Sequence, residues 1–236
     1  TPRPASVLVI GCGAGATAGA VAIDPAVRRV TLVEIEPLVP RAAAQYFGEI
    51  NHHVLSSTKT HVVIDDAQHF LRGTRETFDA ITSDPLDPWV KGSGPLYTRE
   101  FFELVRRRLT PGGVVTVFVQ LYRTTPDAVR SELATFFAAF PDGAVWANTE
   151  EGRGYDLVLI GRAGPMVLDL DDVRGRLSSP QYDPVVRSLA EVEVPSLFAL
   201  LAGYASRASD LGEWLRDAEI NTDRNLRLEY LAGLGS

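Results

Sequence analysis

The chain has 236 residues, 45% hydrophobic and 22% charged, with a formal net charge of −7 and a pI near 5.1. That balance argues against general nucleic-acid binding, because a phosphate backbone is engaged with clustered Lys and Arg. No apolar run approaches the roughly 18 residues that span a bilayer, and Cys12, the single cysteine, excludes an intrachain disulfide or a multi-cysteine metal site.

An acidic balance suits a cationic substrate and also plain solubility. The length suits one large α/β domain, or a domain of roughly 160 residues with an appendage. The chain starts at Thr1 and enters its first strand within six residues, so it reads as a fragment of something longer. A cytoplasmic location is expected, with the soluble domain of a membrane-anchored protein as the variant of that expectation.

Residues 7–10 form a short, wholly apolar run ending in glycines, the pattern of a strand buried on both faces of a parallel sheet. Gly11-Cys12-Gly13-Ala14-Gly15-Ala16-Thr17 follows, then small residues to Ile23. Glycines permit positive φ and close approach of a ligand to backbone, and the following helix presents unpaired N–H groups. The turn therefore reads as a nucleotide-cofactor site, its alternative being a tight strand-to-helix turn without ligand.

Residues 30–33 make the second strand, with Glu34 and Glu36 just past its end. An acid some twenty residues after the glycines is placed to accept both ribose hydroxyls of a nucleoside, and Glu34 is the first choice. Glu36 equally suits the start of the helix expected over residues 38–47. Residues 61–64 form the third strand and end in Asp65-Asp66-Ala67, where Asp66 can accept from an adenine amino group, and Asp65 or Asp66 can cap the helix of residues 67–71.

The fourth strand, residues 78–83, leads into Thr82-Ser83-Asp84-Pro85-Leu86-Asp87-Pro88. Two prolines stiffen this segment and remove two backbone donors, so its carboxylates are held rather than left to roam. Ligands of open α/β sheets bind at that strand edge. Asp84 and Asp87 are expected to face a cationic amine there; an Asx turn capping the next helix is the alternative.

Residues 97–109 carry apolar side chains at a helical period, with Arg106-Arg107-Arg108 read as a solvated last turn and Pro111-Gly112-Gly113 as the stop. Residues 114–119 are a fifth buried strand delivering Gln120 and Tyr122 to the same edge. A helix over 127–140 and strands at 144–147 and 157–160 complete the alternation. It predicts a doubly wound, mostly parallel seven-stranded α/β sheet over residues 1–164. Residues 165–236, punctuated by Pro180, Pro184 and Pro195, read as a helical appendage or cover. Its residues 196–230 are expected beside the strand edge, with Asn221 and Asp223 reaching the site. His52, His53, His61 and His69 lack a zinc-like spacing, so no metal is expected. Cys12 is expected to fill space in its turn.

Over roughly residues 5–162 the chain resembles the spermidine synthase (polyamine aminopropyltransferase) family, a branch of the class I S-adenosylmethionine-dependent transferase fold. The most specific segments are Asp79-Ala80-Ile81-Thr82-Ser83-Asp84-Pro85-Leu86-Asp87-Pro88, Leu96-Tyr97-Thr98-Arg99-Glu100-Phe101-Phe102 and Leu109-Thr110-Pro111-Gly112-Gly113. It is most similar to bacterial members fused to a membrane-spanning portion, whose soluble part ends in a segment like Ile220-Asn221-Thr222-Asp223. The resemblance implies that Gly11, Gly13 and Gly15 wrap decarboxylated S-adenosylmethionine, that Glu34 binds its ribose and that Asp66 with Ala67 lies along its adenine. It implies Asp84 as base toward the attacking amine, Asp87 as the amine-binding carboxylate, and Gln120, Tyr122 and Tyr155 beside a di- or polyamine. A homodimer is among the expected assemblies. Three departures stand out: Ala14 where the turn usually has an aspartate contacting the aminopropyl amine, the absence of the family's small N-terminal β domain, and Tyr155 in place of the aromatic usual near the last hairpin.

The reaction implied is in-line displacement beside a sulfonium, with methylthioadenosine leaving. A free alkyl amine titrates near lysine, about 10.4, so the site must take a proton and hold the remaining ammonium. The rival readings are a methyltransferase using intact S-adenosylmethionine, a non-catalytic cofactor-binding domain, and an NAD enzyme, since residues 11–16 also fit the looser dinucleotide fingerprint. The paired aspartates favour an amine reaction over hydride transfer.

Overall fold

Short valine-rich runs separated by helices build the sheet of the computed structural model, which describes residues 3–83, 88–90, 92–150 and 153–232. In chain order the strands are β1 (Ser6–Ile10), β2 (Arg29–Glu34), β3 (Thr60–Ile64), β4 (Phe78–Ser83), β5 (Leu109–Gln120), β6 (Ala144–Glu150), β7 (Arg153–Arg162) and β8 (Tyr204–Arg207). They lie in the spatial order β3-β2-β1-β4-β5-β7-β6-β8. The first five neighbours are parallel, and β7, β6 and β8 are antiparallel additions.

Side-chain alternation divides the sheet into two faces. Val7, Val9, Val30 and Leu32 pack under α1 (Ala16–Ala22) and α2 (Leu38–Tyr46) with Ala18 and Ala43. Leu8, Ile10, Ile81, Val115 and Val117 face the other way, against α3 (Ala67–Gly73), α4 (Arg99–Arg108) and α5 (Pro126–Ala139). Phe102 and Phe136 meet edge to face at 5.3 Å in that second core. Burying such a ring stabilises by roughly 1.5–3 kcal/mol relative to leaving it in water, which is what fixes α4 and α5 beneath β4 and β5.

The sheet has eight strands among the described residues where the sequence reads as seven. The extra one lies inside the stretch expected to be helical, after α6 (Leu170–Leu177), α7 (Asp183–Glu191) and α8 (Leu197–Ala202) and before α9 (Arg227–Ala232). Tyr204-Ala205-Ser206-Arg207 has no apolar alternation of its own. It becomes a strand because β6 offers an unpaired edge: Ala147 N–H donates to Gly203 O at 2.7 Å, and the Trp146 and Tyr204 rings meet at 5.3 Å.

In the arginine triplet Arg106 and Arg107 are exposed, as expected of a solvated turn, but two of the three side chains also bond carbonyls. Arg106 donates to Ala139 O at 3.2 Å and Arg108 to Leu71 O at 2.8 Å. Carbonyls left over at the ends of α5 and α3 thus find donors on α4, and three helix ends are tied together.

Candidate functional site

The carboxyl ends of β1 to β5 all emerge at one edge, and the glycine turn is its first element. Gly11, Gly13 and Gly15 have φ of 87°, 48° and 84°, a region that side chains disfavour. A Cβ on Gly15 would come within 3.0 Å of Asn51 Nδ2, whereas one on Gly13 would meet nothing within 4 Å. One glycine is therefore packed against protein, and the other borders open space where a ligand can approach backbone.

Asn51 braces the turn from outside it. Wholly buried, it donates through Nδ2 to Ala14 O at 3.0 Å and Ala43 O at 3.1 Å, coupling the turn to α2. Its segment has no periodicity that marks it, and only the tertiary contact reveals the role. Cys12 is buried, and desolvation followed by the Glu34 charge pushes its thiol up to about 11. A thiol held neutral is a packing group, not a nucleophile.

Glu34 stands at the end of β2 with both oxygens anchored. Oε2 accepts from Cys12 N–H at 2.8 Å and Oε1 from Glu36 N–H at 2.9 Å. Each carboxylate oxygen has a further lone pair, so the group is oriented without being used up. Asp65 N–H donates to Glu34 O at 3.0 Å, which brings the end of β3 alongside. Asp66 caps α3 by accepting from His69 N–H at 2.8 Å, while Asp65 holds the His69 ring at 2.8 Å; Ala67 is buried behind them.

Asp84 and Asp87 lie outside the described residues. Their flanks are Ser83, buried at the end of β4, and Pro88, which lines a cavity of about 10 Å³ with Trp89, Tyr97, Phe118, Gln120, Thr124 and Glu132. Gln120 is buried there, its Nε2 donating to Tyr122 O at 3.3 Å. The Tyr122 and Tyr155 rings lie 4.9 Å apart and half-exposed at the mouth of the β5–β7 pair. Glycine turn, Glu34, Asp66 and Gln120 thus share the edge at which β4 ends.

The C-terminal tail meets this edge differently from the expectation that Asn221 and Asp223 reach the site. Asn221 is fully buried, donating through Nδ2 to Tyr97 O at 2.9 Å and accepting at Oδ1 from Leu228 N–H at 3.1 Å. Its backbone donates to Thr135 Oγ1 at 2.8 Å and accepts from Arg99 N–H at 2.9 Å. Asp223 accepts from Thr98 Oγ1 at 2.6 Å. Asn221 Nδ2, Asn221 O and Asp223 Oδ1 thus engage Tyr97, Arg99 and Thr98 of the segment that follows the acidic loop, while other atoms tie the tail to Thr135, Leu228 and Arg72, so the tail straps that segment down. From α3 Gln68 does the same, donating to Pro95 O at 2.8 Å.

Asp156 is a buried carboxylate at this edge that the motifs do not mark. It sits on β7 with 9% exposure, opposite Gln120 on β5 and Asn148 on β6. The available signal is parity: Asp156 falls in step with the half-buried Val158 and Ile160, a charged residue in an otherwise apolar alternation. Burial pushes its carboxyl above the ordinary 3.8, against a hydrogen bond from Asn148 that acts the other way. A raised folded-state pKa means that its stability contribution is full below the unfolded value and is lost as pH rises through the folded one. Asp156→Asn is therefore expected to gain stability relative to the parent at pH 7 but not at pH 3, read from melting temperatures at both. A gain that does not depend on pH overturns this assignment.

Parallel strands in the order β3-β2-β1-β4-β5, an antiparallel β7–β6 hairpin and a glycine turn tied to an acid after β2 define the class I methyltransferase-like fold. The chain belongs to the spermine/spermidine synthase domain family, whose model matches residues 1–145. A polyamine aminopropyltransferase of Mycobacterium tuberculosis is 36% identical over 137 residues, covering 57% of this chain and 26% of that protein. One of Saccharolobus solfataricus is 34% identical over 173 residues, covering 67% of this chain and 56% of that protein. The chain thus spans between about a quarter and rather more than half of these relatives' length. Among solved structures, a spermidine synthase in complex with the transition state analogue AdoDATO superimposes with a TM-score of 0.68 at 22% identity, covering 91% of this chain and 70% of that one. Among the described residues no helix is long and apolar enough to cross a membrane.

Proposed function

We propose that this protein transfers an aminopropyl group from decarboxylated S-adenosylmethionine to a di- or polyamine. The observation that carries the reading is the anchoring of Glu34 to the glycine turn at Cys12 N–H beside the end of β3, next to the strand that leads into the two aspartates. Membership of the family supports it.

The residues present suit the donor. Gly13 leaves room for close approach, Glu34 has lone pairs for ribose hydroxyls, and Asp66 with Ala67 offers an acceptor and an apolar wall to adenine. When bound, the donor supplies a propyl carbon activated by the neighbouring sulfonium. The chain's own task is then position and protonation. Asp84 takes the proton of the attacking ammonium, which leaves a nucleophilic lone pair on nitrogen. Asp87 pairs with the ammonium that stays charged, Gln120 offers a polar contact, and Tyr122 with Tyr155 presents ring faces to a cation.

Release of methylthioadenosine from decarboxylated S-adenosylmethionine with a panel of amines tests this directly. Turnover with one or more amines is expected, with tighter binding of the decarboxylated than of the intact cofactor. Preference for the intact cofactor, which Ala14 makes the sharpest test, would replace this reading by methyl transfer.

A further inference from the structure

We propose that the C-terminal appendage and the far end of the sheet enclose a second ligand site, suited to a single-chain amphiphile with an anionic head. They close around a cavity of about 810 Å³, floored by Val114, Trp146 and Ile160 and covered by Met166, Val173 and Leu201. Pockets that enclose a small ligand measure roughly 300–1,000 Å³. Val114 precedes Gln120 along β5, and strand rise separates the two by roughly 20 Å. The site thus stands apart from the cofactor edge, and its ligand does not depend on the transfer reading.

The fold leaves this space because one sheet face is covered unequally. The register Val7–Ala80–Val114–Arg162 runs across that face, which α1 and α2 cover at β1 and β2. Beyond β5 the same face is left to the appendage, whose α6 and α8 hold no buried residue. Two hydrogen bonds fix this cover: Trp146 Nε1 donates to Leu200 O at 3.0 Å, and Arg162 Nη1 to Pro165 O at 2.8 Å. Between those anchors Val167, Leu168 and Leu170 line the cavity while staying 68%, 52% and 46% exposed. Apolar side chains gathered at such a rim mark a binding groove.

The lining charges select the head group. Arg176 pairs with Asp172 at 2.8 Å, and Asp169 accepts from Asp171 and Asp172 N–H at the start of α6, where an acid is favoured. Arg162 gives Nε to Gly112 O at 3.3 Å and Nη1 to Pro165 O, carbonyls that orient its guanidinium without neutralising it. Neither Arg162 nor Arg207 has an ion pair among the described residues, and Asp142, the remaining carboxylate of the lining, is exposed. Ala144 pairs with both Ile160 and Arg207, which places Arg207 roughly 12 Å from Arg162 across the cavity floor. Guanidinium groups with donors to spare beside apolar walls recognise a carboxylate.

Calorimetry with laurate, titrated below its micellar concentration, tests this. Saturable one-to-one binding is expected, tightening roughly tenfold for every two methylenes from octanoate to laurate. Dodecyltrimethylammonium should bind weaker than laurate by about tenfold or more. Arg162→Gln combined with Arg207→Gln should weaken laurate roughly 10- to 100-fold. Leu201→Trp, with Val173→Phe as a milder filling variant, should remove laurate binding, thermal melts showing that each variant is folded. Absence of saturable binding to the parent overturns the proposal, and so does an affinity indifferent to chain length or head charge. A folded filling variant or arginine variant that binds laurate as the parent does overturns it as well.

Discussion

Asp84→Asn is expected to lower turnover by about 10²–10⁴-fold while decarboxylated S-adenosylmethionine still binds within a few-fold of the parent affinity. The amide matches the carboxylate in shape but accepts no proton, so the amine stays an ammonium and has no lone pair to donate. Cofactor affinity should survive because the cradle belongs to other strands: the glycine turn follows β1, Glu34 ends β2 and Asp66 follows β3. Single-turnover rates and equilibrium binding on the same variant separate the two effects. Full activity would end the assignment of Asp84 as base.

The second large effect concerns stability. Asn221→Ala removes the donor to Tyr97 O and the acceptor of Leu228 N–H, both in buried surroundings. Two orphaned backbone groups cost about 2–4 kcal/mol together. In a chain of this size that lowers the melting temperature by roughly 5–15 °C. Activity should suffer beyond the loss of folded protein, since Tyr97 and Thr98 belong to the segment that follows the acidic loop, and Leu228 packs with Tyr97 and Ala128. The expected signature below the melting transition is a raised KM for the amine with donor affinity kept. A variant that melts within about 1 °C of the parent would show that the tail is not a strap.

These two sites differ in how they are found. Asp84 is conspicuous because it sits in an acidic, proline-braced run after an apolar strand. Asn221 is inconspicuous because most of its partners are distant: Tyr97 precedes it by 124 residues, and Thr135 by 86. Local pattern finds the first kind, and only packing discloses the second.

By itself the sequence determined what local chemistry controls. Valine-rich runs at residues 7–10, 30–33 and 114–119 had to become buried strands, and φ-permissive glycines had to turn at 11, 13 and 15. An acid after the second strand had to lie near that turn, where the structure hydrogen-bonds Glu34 to Cys12. Tertiary structure alone decided the rest. Tyr204–Arg207 is a strand because β6 had a free edge, and Asn51 braces the turn because α2 folds back on it. Arg108 caps a neighbouring helix, and Asp156 joins a polar row because β5, β7 and β6 are in register. Hydrogen bonds between residues far apart in the chain leave no period in it, since their partners are chosen only when the sheet has formed.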